Sequence, residues 1–208
     1  MDIKIEEPRY SFVGGNLSID FTNTVNSRWS GEAQDKFSNY RDLVAWARQA
    51  GLTGEAEARR LVRAAERNPE AAKRALNEAT DFREVIYRIF QATALEQPPA
   101  NADMGAFNRK LAEAMTHARI EPLPDGFAWS WEESDALDRV VWPIARSAAD
   151  LLTSHQLERV KSCGSDDCGW LFVDTSRNGS RRWCDMSDCG NRAKARRHYH
   201  RVKKGNVD

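Results

Sequence analysis

Cys163, Cys168, Cys184 and Cys189 are the only cysteines in the 208-residue chain. Four residues lie inside each pair, and fifteen separate the two pairs. Two short loops that each present two thiolates can close a tetrahedron around one Zn2+, at S–Zn distances of about 2.3 Å. The competing readings are two disulfides, four unrelated core thiols, or Fe–S ligation. A reducing cytoplasm opposes disulfides, and the clustering of every thiol opposes chance. One zinc ion is therefore expected. Four protein thiolates leave no coordination position for a catalytic water, so the zinc is expected to be structural.

The same segment carries the basic charge. From Lys161 to Asp208 there are eleven Lys/Arg against six Asp, a net of +5, so the preceding residues carry −5 within a neutral chain. Arg177, Arg181, Arg182, Arg192, Lys194, Arg196, Arg197, Arg201, Lys203 and Lys204 crowd around the cysteines, interleaved with His198, Tyr199 and His200. Some of these arginines are needed to neutralise a zinc tetrathiolate, whose charge is −2. The surplus suits a polyanion. As a helix, RAKARRHYHRVKK places Arg192, Arg196 and Lys203 on roughly one face, and Lys194, Arg197 and Arg201 on another. Asn191 and Arg192, near the helix start, are candidate base readers. Trp170, Trp183 and Tyr199 offer stacking surfaces for single-stranded RNA, the alternative partner.

These side chains need elements to hold them. Trp170 to Val173 reads as a strand, Asn178-Gly179 as a hairpin turn, and Ser180 to Trp183 as the returning strand. The order is then cysteine loop, hairpin, cysteine loop, helix, which resembles a treble clef. Upstream, Leu17, Ile19 and Phe21 alternate with Ser18, Asp20 and Thr22 after Gly14-Gly15, which predicts a strand. Helical spacing predicts helices around Leu43 to Ala47 with Gly51 beyond the end, over 55–67, over 69–95 until Pro98-Pro99, and from a cap at Asp103 to Met115. Leu123-Pro124-Asp125-Gly126 followed by Phe127, Trp129 and Trp131 predicts a hairpin. Ser134 is a candidate cap, and Pro143 either opens or kinks the apolar helix around Ala145 to Leu152. The expected class is α+β: a mostly helical domain over 1–155 with a small sheet, then a finger over 156–208.

The string CGWLFVDTSRNGSRRWCDMSDCGNRAKARRHY resembles the CGNR zinc-finger family, named for Cys189-Gly190-Asn191-Arg192. Upstream, GGNLSIDFTNTV, FREVIYRIF and VVWPIARSAADLLTS resemble the ABATE domain that precedes this finger, with Thr22 departing from an expected apolar residue. The resemblance implies a bacterial, stress-induced transcription regulator, with DNA bound by the finger and an effector sensed by the front domain. Asp20, Asn23, Arg28 and Arg146 are the candidate effector-binding residues, beside Trp46 and Trp142. Capping and core roles compete with that reading. A third reading makes the finger a clasp for a ligand-binding or enzymatic front domain.

Several classes are not supported. No nucleophile–base pair, P-loop or dinucleotide loop is present, and a non-enzyme is expected. No long apolar run predicts a membrane span, and MDIKIEEPRY lacks an export pattern, so a cytoplasmic protein is expected. A homodimer is a further expectation, because regulators often read paired half-sites.

Overall fold

A computed structural model describes residues 10–205, with backbone alone at 200 and 202–205. It is α+β, with a helical N-terminal part, small antiparallel sheets and a four-cysteine zinc finger at the C-terminal end. The side chains of His200, Lys203 and Lys204 fall outside the described residues, as do the stretches 1–9 and 206–208. Among the described residues no helix is long and apolar enough to cross a membrane.

The first element corrects the sequence expectation. Leu17–Thr22 is a short helix, α1, not a strand. Asn16 caps it by accepting from the Ser18 N–H at 2.9 Å. The alternation misleads because both halves of it are buried: Ser18, Asp20 and Thr22 are covered along with Ile19 and Phe21. Small polar side chains satisfy themselves locally here, and Thr22 Oγ1 donates to the Ile19 carbonyl. Two-residue strands β1 (Val25–Asn26) and β2 (Gln34–Asp35) then pair antiparallel.

Three helices follow as the periodicity predicts. Helix α2 (Tyr40–Gln49) starts at a reciprocal capping box between Asn39 and Asp42. Helix α3 spans Glu55–Arg67, and α4 spans Pro69–Ala94. Pro69 occupies the first turn of α4, and Asn68 caps it. At 26 residues α4 is about 39 Å long. It packs against α1, α2, α3 and the next helix, α5 (Asn101–Thr116). Asp103 does not cap α5. It sits in the first turn and binds Arg88, while Ala100 holds the cap position.

Strands β3 (Ala118–Leu123) and β4 (Gly126–Trp131) form the expected hairpin. Ser134 accepts from Ala136 N within the following turn rather than capping a helix. Pro143 lies in the first turn of α6 (Val141–Leu152), where no N–H is missed. Trp46, Trp142, Phe21, Phe90, Ile86 and Leu151 fill the core between these helices.

The C-terminal part is built into this core. A 3-10 turn (His155–Arg159) leads to β5 (Val160–Ser162), which pairs antiparallel with β6 (Leu171–Val173). Leu171 and Val173 belong to the front core, whereas Phe172 packs with the cysteines. Strand β6 is therefore buried on both faces. Asn23 holds it from α1: its amide donates to the Leu171 carbonyl at 2.9 Å and accepts from the Leu171 N–H at 3.0 Å. Gly14 accepts from Val173 N at 2.7 Å.

Replacing Asn23 with Ala leaves the buried N–H and C=O of Leu171 without partners. The expected cost is about 2–4 kcal/mol, which lowers the melting temperature by roughly 5–10 °C. Thermal denaturation of N23A against the parent protein checks this, and an unchanged midpoint would show that the clamp contributes nothing.

Candidate metal centre and basic helix

The zinc ligands come from two loops. The first, Cys163 to Cys168, lies between β5 and β6. The second, Cys184 to Cys189, ends in a single π-turn (Met186–Gly190) that runs straight into α7 (Asn191–Gly205). Backbone bonds hold the loops together: Cys163 N donates to the Trp170 carbonyl, and Gly164 N donates to Arg182 O. Gly169 turns with φ +71°, and a Cβ there would lie 2.7 Å from the Arg28 Cβ, so that position admits only glycine.

All four Sγ atoms are buried and lie within 4.8 Å of one another. The Cys168–Cys184 and Cys184–Cys189 sulfur pairs are each 3.7 Å apart. A tetrahedron with S–Zn bonds of about 2.3 Å requires sulfurs about 3.8 Å apart. The donor set fits one Zn2+, all four positions are filled by protein thiolates, and the ion is structural.

The stretch 15–155 matches the ABATE family model, described as a putative stress-induced transcription regulator. The chain belongs to the ABATE family. Residues 159–202 match the CGNR zinc finger, in the same order. No curated protein matches the chain.

In this ABATE protein the segment between the loops is not the expected hairpin. β6 pairs backward with β5, and Ser180 to Trp183 form no strand. The carboxylate of Asp174, which is fully buried, organises the segment instead. It accepts from Ser176 N, Arg181 N and Lys161 Nζ at 2.9, 3.0 and 2.7 Å. Burial opposes its ionisation, but these donors prevail and hold the carboxyl well below the usual range. The Arg181 amide that a returning strand would have used is thereby taken. Asp174 is a site residue whose role spacing alone did not reveal.

The basic residues fall into two sets. Arg181 works inside the fold, with Nη2 donating to Val13 O at 2.9 Å and also to Cys184 O, Nε donating to Trp183 O, and its guanidinium over Phe172. Arg192 donates to the Cys189 sulfur at 3.0 Å and pairs with Asp167 at 2.8 Å and Asp188 at 3.0 Å. The Cys189 contact is the main cause that raises its pKa. Arg196 donates to Ser165 Oγ at 2.9 Å. Arg192 and Arg196 therefore clamp α7 to the first cysteine loop. Asp167 and Asp188 are the acidic halves of that clamp, and their place inside the loops CGSDDC and CDMSDC was the available signal. Asn191 is exposed, and its amide donates to the Ser187 carbonyl four residues earlier at 3.0 Å.

Lys194, Arg197 and Arg201 behave differently. Each is exposed, and none has a hydrogen bond or ion pair among the described residues. At about 100° per residue they share an arc of roughly 60° on α7, nearly opposite Arg192 and Arg196. Arg177 is likewise exposed, and Arg182 lies over Trp183 at 5.5 Å.

The four candidate effector residues make no hydrogen bond or ion pair with one another, although Arg28 Nη2 donates to the Thr22 carbonyl, next to Asn23, at 2.9 Å. Asp20 accepts from Gly14 N at 2.7 Å, and burial pushes its carboxyl up to about 6 against the Gly14 bond and Arg181. It borders a recess of about 480 Å3 with Phe12, Leu17 and Gln49. Asn23 is spent on β6. Arg28 forks onto Glu84, at 2.6 and 3.1 Å, and lies 4.0 Å over Tyr87. Arg146 pairs with Asp150 and covers Trp129 at 4.3 Å. Trp46 and Trp142 are core side chains.

Arg192→Ala should keep one zinc per chain at saturation, yet weaken zinc affinity by about 10–100-fold, because an outer-shell partner of a ligand is lost. Competition with a chromogenic chelator reads this. An affinity equal to the parent's would assign Arg192 to some other task.

Proposed function

We propose that this ABATE protein is a transcription regulator that grips duplex DNA with the outer face of α7 and acts by binding rather than by catalysis. One observation carries the reading. The helix leaves the second cysteine loop with only Ala193 partly covered among its described side chains, and with Lys194, Arg197 and Arg201 aligned and uncommitted. A helix so exposed and so cationic buries nothing of its own, and a phosphate backbone complements it. Zinc and the Arg192 clamp fix its direction, so its cations are presented in register. The family description supports the regulatory role.

Duplex DNA is favoured over single-stranded RNA because two of the three candidate stacking side chains, Trp170 and Trp183, are occupied, which leaves Tyr199 as the one largely exposed ring among them. Trp170 donates from Nε1 to Val25 O at 2.8 Å and lies under Lys36, and Trp183 packs with the cysteine cluster. Stacking on unpaired bases needs open ring faces. For the effector, the groove of about 620 Å3 between α2, α3 and α4, lined by Val62, Ala72 and Leu76, is a better candidate than Asp20, Asn23, Arg28 and Arg146, whose polar groups are mostly engaged within the fold.

Binding to random duplex DNA should weaken linearly with log salt. Changing Lys194, Arg197 and Arg201 together to Ala should flatten that slope by about 2–3, at roughly 0.9 per phosphate contact. Arg181→Ala should lower stability instead. An unchanged slope in the triple variant, or tighter binding to single-stranded RNA at equal salt, would contradict the reading.

A further inference from the structure

The fold uses one of the two carboxylate oxygens of Asp20. The residue is 7% exposed, and Oδ1 accepts from Gly14 N at 2.7 Å. Oδ2 accepts no hydrogen bond among the described residues, yet it keeps contact with solvent. Asp20 meets that solvent at the recess of about 480 Å3 that it shares with Phe12, Leu17, Gln49 and Ala50. No Lys, Arg or His lines the recess. The Arg181 charge acts on Asp20, but its guanidinium donates to the carbonyls of Val13, Trp183 and Cys184 rather than to the carboxylate. A covered carboxylate oxygen without a donor is costly. The other walls also favour positive charge. Gln49 and Ala50 are the last residue and the C-cap of α2, where the helix carries partial negative charge. The Phe12 ring is 39% exposed and lies 6.1 Å from the buried Trp46 ring. An aromatic face attracts a cation.

We propose that this recess binds a small organic ammonium, with the cationic nitrogen at Asp20 Oδ2 and the apolar body against Phe12 and Leu17. The lining selects that class. An anion would meet both the carboxylate and the negative end of α2. A neutral ligand would leave the carboxylate without a counter-charge. A bare Ca2+ or Mg2+ takes about six or more oxygen ligands, and here one carboxylate stands among Phe12, Leu17 and Ala50. The volume falls within the roughly 300–1,000 Å3 of small-molecule sites. The recess shares no lining residue with the groove between α2, α3 and α4. It adjoins the strand common to both parts of the chain, because Asp20 holds Gly14 N while the Gly14 carbonyl accepts from Val173 N at 2.7 Å. The site stands independently of nucleic-acid binding.

The test titrates the zinc-loaded full chain with phenethylamine by calorimetry at neutral pH and fixed ionic strength. Phenylethanol and phenylpropionate serve as the neutral and anionic counterparts of the same shape. Phenethylamine should saturate one site per chain, and the alcohol and the acid should each bind at least about 10-fold more weakly. Asp20→Asn keeps an oxygen for Gly14 N and removes the charge. It should weaken phenethylamine by about 10–100-fold and abolish the preference over the alcohol, with one zinc per chain and the parent's circular dichroism. Phe12→Leu, at a partly exposed position, is the second variant and should weaken phenethylamine by about 3–10-fold. No saturable heat up to about 10 mM phenethylamine, equal affinity for phenylethanol, or a folded Asp20→Asn variant that binds as the parent does, overturns the proposal.

Discussion

Four thiolates must reach one tetrahedron, and the C-terminal quarter of the chain is arranged around that requirement. Among the described residues its own apolar cluster is slight: Phe172 and the four cysteines, with Val13, Trp170 and Trp183 at the edge. So small a cluster offsets little of the entropy of ordering two loops and a helix. Zinc coordination supplies on the order of 10–16 kcal/mol in comparable small modules. The direction of α7 follows from it, because the last ligand, Cys189, is two residues from the first helical residue and is bonded to Arg192. A positively charged helix otherwise exposed on nearly every face is held in one orientation through a metal bond and an ion-pair clamp.

The second dependence runs between finger and front part. They meet through backbone as well as side chains. Asn23 grips Leu171, Gly14 accepts from Val173, Arg28 N donates to the Cys168 carbonyl, and Trp170 donates to Val25. Arg83, buried, forks onto Asp35 and reaches Thr24, which braces the β1–β2 edge beside the finger. With Leu171 and Val173 in the main core, β6 belongs to both parts at once. The sequence boundary near residue 155 divides two recognisable patterns, but the packing continues across it. Any event that shifts α1 or β1 is coupled through rigid contacts to the base of the zinc site.

Much of this was legible in residue spacing, for identifiable reasons. The cysteine pairs could be read because metal coordination constrains spacing more tightly than packing does. Helices α3 and α4 could be read because each buries one stripe, with Asn68-Pro69 marking the start of α4, and the β3–β4 hairpin because Pro124-Asp125-Gly126 marks its turn. Helix α1 was misread because its polar residues are buried too, so alternation no longer reported a solvent face. The second strand of the finger was misplaced because Asn178-Gly179 carries a hairpin signal that the Asp174 carboxylate overrides. The division of the arginines was not legible at all. Arg192 and Arg197 look alike in sequence, and only the positions of Asp167, Asp188 and the Cys189 sulfur separate the clamp from the free face.

The central claim is that zinc, finger and front part form one cooperative unit. It is tested most directly by titrating zinc out of the full chain with a chelator while following thermal unfolding by far-ultraviolet circular dichroism, which is dominated by the front helices. The account predicts a single transition whose midpoint falls continuously as zinc is removed, because losing the cysteine tetrahedron frees β6 and opens the core around Leu171 and Val173. A helical transition that stays at the same temperature in the zinc-free protein, with only the finger melting early, would contradict it.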